Sequence, residues 1–540
     1  MVVTAQRLAS EVGVDVLKNG GNAVDAAVAV GYALAVVYPS AGNLGGGGFM
    51  TVRMKDGRTA FLDFRERAPL KATRTMYLDA KGEPVEGASL DGYLAIGVPG
   101  SVLGLETARQ KFGTQSREAL MAPAIRLAGE GFELSDADAR ILAAGVERLS
   151  KDPAAAAIFV SPDGKALAPG ARLVQADLAA ALSAIAQSGP DAFYKGRLAD
   201  AIVAASATRG GILERADFEA YRVHEREPIR CDYRGYTIVS APPPSSGGVI
   251  ICEILNVLEA YPLGYLGWGS SDTVHLMVEA MRHAYVDRNS ALGDPDFVDN
   301  PVEALLDKAY SGKIRERIDP YRAGVSAVLK PQGFGESSET THYSIVDADG
   351  NAVAVTYTLN GSFGAGVVAP GTGILLNNEM DDFTAKPGVP NLYGLVQGEA
   401  NAIEPKKTPL SSMSPTIVLK GDQPFMVIGS PGGPRIITIT LEAIVNVIDH
   451  GMTIKEAIDA PRIHHQWLPD KLFAERFALS PDTLKILSGM GHQVTVAPNW
   501  GQAAGILVGG ASLEEIGKGG GARYNGAIDS RAAAGAAVGY

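Results

Sequence analysis

Apolar residues recur at three- and four-residue spacing over Arg7–Lys18 and then fill nearly every position from Ala23 to Tyr38. That predicts an amphipathic helix followed by one packed on every side, with Asn22 as its N-terminal cap. A glycine run, NLGGGG, gives way to alternating residues, which predicts strands over Phe49–Met54 and Thr59–Asp63. From about Ser101 to Glu219 the spacing is mainly helical, as in SVLGLETARQKF and DADARILAAGVERLSK. Pro228–Ala241 reads as a hairpin pair closed by the turn PPPSSGG, and two helices follow, running through about Pro262 and Asp287. Periodicity fades over about 321–339 (YRAGVSAVLKPQGFGESSE), a linker or exposed loop. Strands are predicted to dominate from Thr341 to Ile428, ahead of helices over Ile436–Asp449 and Asp482–Gly489. Strands towards both ends with helices between suit an α+β sandwich whose sheets draw on distant parts of the chain.

Composition narrows the function classes. The chain has 540 residues, 46% of them hydrophobic, enough for one large core or several small ones. By length alone the prior is roughly three or four domains. The formal charge is -12, and basic residues cluster only in short pairs such as Lys406-Lys407, which gives no support to a nucleic-acid-binding face. The longest apolar run, Ala26–Val37, falls short of the roughly 20 residues a bilayer span needs. MVVTAQRLAS lacks the basic start and apolar core of a signal peptide, so either a cytoplasmic protein or a chain without its leader fits. Two cysteines, Cys231 and Cys252, build no disulfide framework and show no zinc spacing; Cys252, inside VIICEILNVLEA, reads as a buried free thiol.

Several motifs fall away on chemistry. NLGGGG and PPPSSGG lack the lysine and the strand–loop–helix spacing of phosphate- or dinucleotide-binding loops. No serine stands in a G-x-S-x-G elbow. His464 and His465 are adjacent, so their side chains diverge, and no carboxylate or cysteine stands at ligand spacing; no metal site is predicted.

The run GESSETTHYSIVDADGNAVAVTYTLN, residues 335–360, holds more. THYSIVD and AVAVTYT flank Ala-Asp-Gly-Asn, strong turn chemistry for a hairpin. Pairing residues whose numbers sum to 698 sets Thr340 opposite Thr358, within about 5 Å. A slip of one residue sets Thr340 opposite Leu359 instead. Threonine favours strands on general grounds, so the pattern by itself leaves the role of the pair open. His342 shares the alternation parity of Thr340, which fits a structural or substrate-shaping role.

ETTHYSIVDADGNAVAVTYTLN, followed by GILLNNEMDDF, PLSSMSPTIV and GSPGGPRIIT, resembles the γ-glutamyltranspeptidase family of N-terminal-nucleophile hydrolases. GGNAVDAAVAVGYAL, AGNLGGGGF, DFRERAP, APPPSSGG and GDPDF extend the resemblance over nearly the whole chain. It implies a four-layer αββα sandwich formed jointly by two segments, 1–339 and 340–540, of a precursor that cuts its own Glu339–Thr340 bond. The cut frees an α-amine on Thr340 with a reference pKa of about 7.7–8.0, able to take the hydroxyl proton. One residue then serves as nucleophile and base.

The resemblance carries further roles. It implies that Thr358 hydrogen-bonds the Thr340 hydroxyl and that Gly432 and Gly433 offer N–H groups to an oxyanion. Arg65, assisted by Ser411 and Ser412, matches the grip on a substrate α-carboxylate, and Asn360, Glu379 and Asp382 match the acceptors for its ammonium. Tyr393, in PGVPNLYGLV, matches the aromatic of a lid loop. Implied donors are glutathione-like compounds or glutamine, with water, amino acids or peptides as acceptors. No cofactor or metal is implied, and family members are usually periplasmic or secreted. Members usually carry a leader and a first short strand where this chain opens, and AIDSR stands in place of A-S-D-P-R, keeping Asp529 and Arg531. Two alternatives stay open: a glutaryl-type (cephalosporin) acylase of the same superfamily, and an uncleaved, non-catalytic binding homologue.

Overall fold

The computed structural model describes residues 1–326, 340–509 and 523–540. Helix α1 (Arg7–Lys18) buries only its apolar stripe, whereas every residue of α2 (Ala23–Val37) is buried, as its unbroken apolar run predicts. Asn22 caps α2 in a capping box: its side chain accepts from the Val24 and Asp25 N–H groups, and the Asp25 carboxylate accepts from the Asn22 N–H.

Two antiparallel sheets form the centre. In chain order their strands are β1 (Val2–Thr4), β2 (Gly47–Arg53), β3 (Thr59–Asp63), β4 (His224–Arg226), β5 (Ile229–Tyr233), β6 (Tyr236–Ser240), β7 (Thr341–Val346) and β8 (Ala352–Thr358). They continue with β9 (Thr416–Lys420), β10 (Gln423–Gly429), β11 (Ala504–Val508), β12 (Tyr524–Ile528) and β13 (Ala536–Val538). The seven-stranded sheet runs β13-β1-β7-β8-β2-β3-β4, and the six-stranded sheet β12-β11-β10-β9-β6-β5. Both sheets therefore contain strands from before and after Thr340, interleaved in the seven-stranded sheet and meeting at the β9–β6 pair in the six-stranded one.

Side-chain alternation builds the layers. Val346, Ala352 and Ala354 of the first sheet meet Val239, Ile417, Val427 and Ile506 of the second in a core between the sheets. The opposite parity of β7 and β8, including Tyr343, Ile345, Val353 and Tyr357, packs beneath α1 and α2. The outer face of the second sheet (Ile238, Val418, Met426) is covered by α3 (Gly247–Leu258), α4 (Ser271–Ala291) and α5 (Arg435–Ile448). The order of layers is αββα.

Three expectations need correction. Cys231 on β5 and Cys252 on α3 are joined in a disulfide, with Cα atoms 5.9 Å apart, so Cys252 is not a free thiol. Only the packing of α3 on the sheet brings the two sulfurs together, and no local pattern reports that. Strands do not dominate from Thr341 to Ile428, because residues 359–415 are irregular apart from two 3₁₀ turns, Glu379–Asp382 and Glu399–Asn401. Side-chain hydrogen bonds help to hold their buried backbone: Asn360 Nδ2 donates to the Asn378 carbonyl, Asn378 Oδ1 accepts from the Gly361 N–H and Asn377 Oδ1 from the Glu379 N–H. Finally, a short strand does open the chain: β1 pairs with β7 and β13.

The expected linker lies partly outside the described residues, which leave out 327–339 and so Glu339. The part that is described is fastened rather than loose: the Ala323 N–H donates to the Met490 carbonyl at 2.8 Å and the Ser326 N–H to Asp470 Oδ2 at 2.7 Å.

Candidate active site

The hairpin of β7 and β8 takes the register whose residue numbers sum to 698, from Val346↔Ala352 to Thr341↔Tyr357. One more step sets Thr340 across from Thr358, on the parity that faces between the sheets. The Thr340 hydroxyl donates to Thr358 Oγ1 at 3.4 Å, and Thr358 Oγ1 also accepts from the Asn360 N–H at 2.8 Å. NLGGGG is what lets β2 lie against this pair. A Cβ on Gly46 would stand 2.0 Å from the Thr358 carbonyl oxygen, and one on Gly48 2.4 Å from that of Thr356. Asn43 Nδ2 then donates to the Thr358 carbonyl at 2.8 Å.

Thr340, Thr358, Asn360, Arg65, Glu379, Asp382, Tyr393, Ser411, Ser412 and Gly433 line one cavity of about 310 Å³. Gly432 stands one residue behind the lining. Both glycines have positive φ, +142° and +54°, and their carbonyls accept from the N–H groups of Arg435 and Ile436 as α5 begins. Among the described residues their own N–H groups have no acceptor. The loop is thus a pair of unspent donors at the cavity wall, on a backbone conformation that favours glycine.

Arg65 is 1% exposed. Its Nη1 donates to Glu379 Oε1 at 2.6 Å, Nη2 to Asp382 Oδ2 at 2.5 Å and Nε to the Pro409 carbonyl at 3.1 Å. Burial works against its charge, but Glu379 and Asp382 outweigh burial and hold the guanidinium protonated. Glu66 lies beside them unseen by the sequence reading. Burial lifts its carboxyl to about 7 and drives Glu379 well up too, against the pull of Arg65. Neither Glu66 oxygen nor Glu379 Oε2 receives a hydrogen bond from a described donor. Burial thus works against the charge of both carboxyls, and Arg65 works for it.

PPPSSGG clamps the PLSSMSP segment. Ser245 Oγ donates to the Met413 carbonyl and Ser246 Oγ to the Ser411 carbonyl, both at 2.7 Å. Ser411 Oγ accepts from the Met413 N–H at 3.0 Å. Ser412 Oγ accepts from Nη2 of Arg288 at 2.8 Å, a cavity-lining arginine that the sequence reading also missed.

Tyr393 folds over the cavity. Its hydroxyl donates to Asn360 Oδ1 at 2.6 Å, while its ring occupies the space a side chain on Gly433 would fill, 2.6 Å from the position of that Cβ. Asn360 adopts a φ of +72° and donates through Nδ2 to the Asn378 carbonyl. His342 stands behind Thr340, between the sheets and against Gly429. Ser344 Oγ gives its one hydrogen to the Ala504 carbonyl, so it accepts from His342 Nε2–H, and His342 Nδ1 accepts from Thr356. Burial pushes the imidazole down to about 3, which keeps it neutral.

His464 bonds Thr438 and Gln466, while His465 faces Asp470. Ligand-type atoms of His275, Glu279 and His492 gather within 4.8 Å of one another. Their own contacts close that group: His275 Nδ1 and His492 Nε2 share a hydrogen bond of 2.8 Å, and Arg282 pairs with Glu279 at 3.3 Å.

Comparison with known proteins gives the family. The sequence model of the gamma-glutamyltranspeptidase family matches residues 9–539. The chain is 58% identical over 544 residues to the glutathione hydrolase proenzyme of Pseudomonas sp. (strain A14), covering 100% of this chain and 94% of that one. It is 51% identical to the glutathione hydrolase proenzyme of Escherichia coli (strain K12), covering 94% and 88%. Among solved structures, the cephalosporin acylase from Bacillus halodurans superposes with a TM-score of 0.84 at 29% identity, over 98% of this chain and 94% of that one. The Helicobacter pylori gamma-glutamyltranspeptidase gives 0.58 at 46% identity, over 59% and 91%. With the family model spanning almost the full length and relatives of this identity over nearly all of it, the chain belongs to the gamma-glutamyltranspeptidase family.

Proposed function

We propose that the protein is a self-maturing gamma-glutamyltransferase and glutathione hydrolase with Thr340 as its nucleophile. Cleavage of the Glu339–Thr340 bond frees the α-amine of Thr340, which takes the hydroxyl proton as Oγ1 attacks the γ-carbonyl of a γ-glutamyl amide. The oxyanion of the tetrahedral intermediate sits on the N–H groups of Gly432 and Gly433. Collapse breaks the amide bond, the ammonium gives its proton to the departing amine, and a γ-glutamyl ester remains on Thr340. Water or the amine of an amino acid or peptide then attacks the ester by the same route in reverse.

The observation that carries this reading is the ion pairing in the empty cavity. Arg65 is neutralised by Glu379 and Asp382. A zwitterionic amino-acid head exchanges these pairs one for one, its carboxylate taking Arg65 with Ser411 and Ser412, its ammonium taking Glu379, Asp382 and Asn360. A plain glutaryl acid takes Arg65 and leaves buried Glu379 and partly buried Asp382 without a cation, an arrangement that burial of Glu379 makes costly. The names of the relatives, glutathione hydrolase proenzymes, support glutathione-type donors. The Cys231–Cys252 disulfide supports a periplasmic or secreted location, since such bonds persist in oxidising compartments. Among the described residues no helix is long and apolar enough to cross a membrane.

Intact mass and two substrates test the reading. Purified protein should resolve into pieces of about 1–339 and 340–540 and hydrolyse γ-glutamyl-anilide far faster than glutaryl-anilide. The opposite preference assigns it to the acylases, and a persistent 56.3 kDa chain without turnover assigns it to uncleaved binding homologues.

A further inference from the structure

Arg288, on α4, lines the same cavity as Thr340 and is 1% exposed. Its guanidinium makes three hydrogen bonds, all to neutral oxygens: Nε to Ser246 Oγ at 3.0 Å, Nη1 to Asn289 Oδ1 at 2.8 Å and Nη2 to Ser412 Oγ at 2.8 Å. No carboxylate among the described residues lies within ion-pair distance of it. Arg53, 8% exposed, is likewise bonded to neutral oxygens, those of Gly57, Thr59 and the Asp422 carbonyl, but it does not line this cavity; three other buried arginines differ. Arg65 has Glu379 and Asp382, Arg282 has Glu279 and Asp470, and Arg462 has Asp529. A buried charge without a counter-ion is strongly unfavourable, and folds normally pair it or leave it out. Burial lowers the Arg288 pKa to about 10, with the like charge of Arg65 acting the same way and Asp382 opposing, so the cation persists at neutral pH.

The partner in this network that faces a ligand is Ser412. Because Ser412 Oγ accepts from Arg288, its own hydrogen remains to donate into the cavity. The cavity wall therefore holds one guanidinium paired with carboxylates, Arg65, and one with no carboxylate among the described residues at ion-pair distance, Arg288. Both converge on the residues matched to the substrate α-carboxylate.

We infer that the missing anion belongs to the substrate: Arg288 is a second cation for the α-carboxylate of the donor, positioning Ser412 and conveying its charge through that hydroxyl. The inference rests on the γ-glutamyl reading above and sharpens it. Donors must carry a free carboxylate on the carbon that bears the amine, because two guanidinium groups depend on it. The same acyl chain without that carboxylate, a 4-aminobutyryl group, gains nothing from Arg288.

The test compares the mature wild-type enzyme with Arg288→Met and Arg288→Lys on γ-glutamyl-anilide and on 4-aminobutyryl-anilide. Loss of a charge-assisted contact predicts a KM for γ-glutamyl-anilide raised about 10- to 100-fold in Arg288→Met, with kcat within about threefold. Turnover of 4-aminobutyryl-anilide should change less than about threefold, and Arg288→Lys should fall between. The melting temperature of ligand-free Arg288→Met should equal or exceed that of wild type, and free glutamate, which raises it in wild type, should no longer do so. Equal losses on both substrates, an unchanged KM in both variants, or a full glutamate shift in Arg288→Met overturns the inference alone. Should Arg288→Met fail to mature, Arg288→Lys decides: a KM raised for the γ-glutamyl substrate only supports it, and any other pattern overturns it. Wild-type enzyme that ignores γ-glutamyl-anilide sinks the functional reading and this inference together.

Discussion

Replacing His342 with glutamine should remove part of the protein's acid sensitivity while leaving the acid limb of its pH–rate profile in place. The imidazole is 1% exposed and held neutral, its pKa pushed to about 3 by burial. In the unfolded chain the same group titrates near 6.5. Between those values the unfolded state binds more protons than the native state, so stability falls as pH falls through the window. At pH 5 the cost is set by the unfolded side alone, RT ln(1 + 10^1.5), about 2 kcal/mol, because the native group is still unprotonated there. Urea unfolding of the mature enzyme at pH 7 and pH 5 reads this directly: wild type should lose about 2 kcal/mol more than His342→Gln across that interval. His464 and His492, also held neutral by burial, keep a residual slope in both proteins. Glutamine offers a donor and an acceptor to Ser344 and Thr356, so the comparison is of titration rather than packing. Equal losses in the two proteins refute the assignment of a buried neutral imidazole. In parallel, kcat/KM should still fall below the pKa of an α-amine, about 7.7–8.0 before local shifts. An acid limb that disappears with His342→Gln makes the imidazole, not the Thr340 amine, the base.

Other outcomes follow from the same geometry. Thr340→Ala should remain a single chain by intact mass and show no turnover, whereas Thr340→Ser should mature slowly and retain activity; a processed alanine variant removes the assignment. Tyr393→Phe deletes the hydroxyl bonded at 2.6 Å to Asn360, and losing one such bond, about 1 kcal/mol, should raise KM roughly fivefold with maturation intact. Replacing Cys231 and Cys252 together with serine opens a loop spanning a sequence separation of 21. The loop-closure term is about 3 kcal/mol, visible as a lower urea midpoint, while kinetics of the folded variant should match wild type.

The features legible in the sequence were those set by neighbours along the chain. The periodicity of α1, the cap at Asn22 and the 698 register of the hairpin are local, and the structure agrees with each. The long motifs located the cavity residues because each motif delivers one wall. What the sequence hid depends on distant partners. Cys231 and Cys252 meet only once α3 packs on its sheet. Residues 359–415 carry strand-like composition, yet the side chains of Asn360, Asn377 and Asn378 bond backbone groups there where a ladder was expected. Arg288 sits within an ordinary amphipathic helical pattern, and what sets it apart is a place on the cavity wall with no carboxylate among the described residues at ion-pair distance. Glu66 lies between two arginines in DFRERAP, a placement that reads as surface charge until burial is known.

The sharing of both sheets between the two segments has a consequence for the protein after any cut before Thr340. β1 is bracketed by β7 and β13, and β2 lies against β8, so neither piece owns a complete layer. Parting them means tearing both sheets and opening all three cores, which is denaturation under another name. The lifetime of the pair is accordingly governed by an activation barrier and not by how far the solution is diluted, so a catalyst at trace levels in an open volume would stay whole.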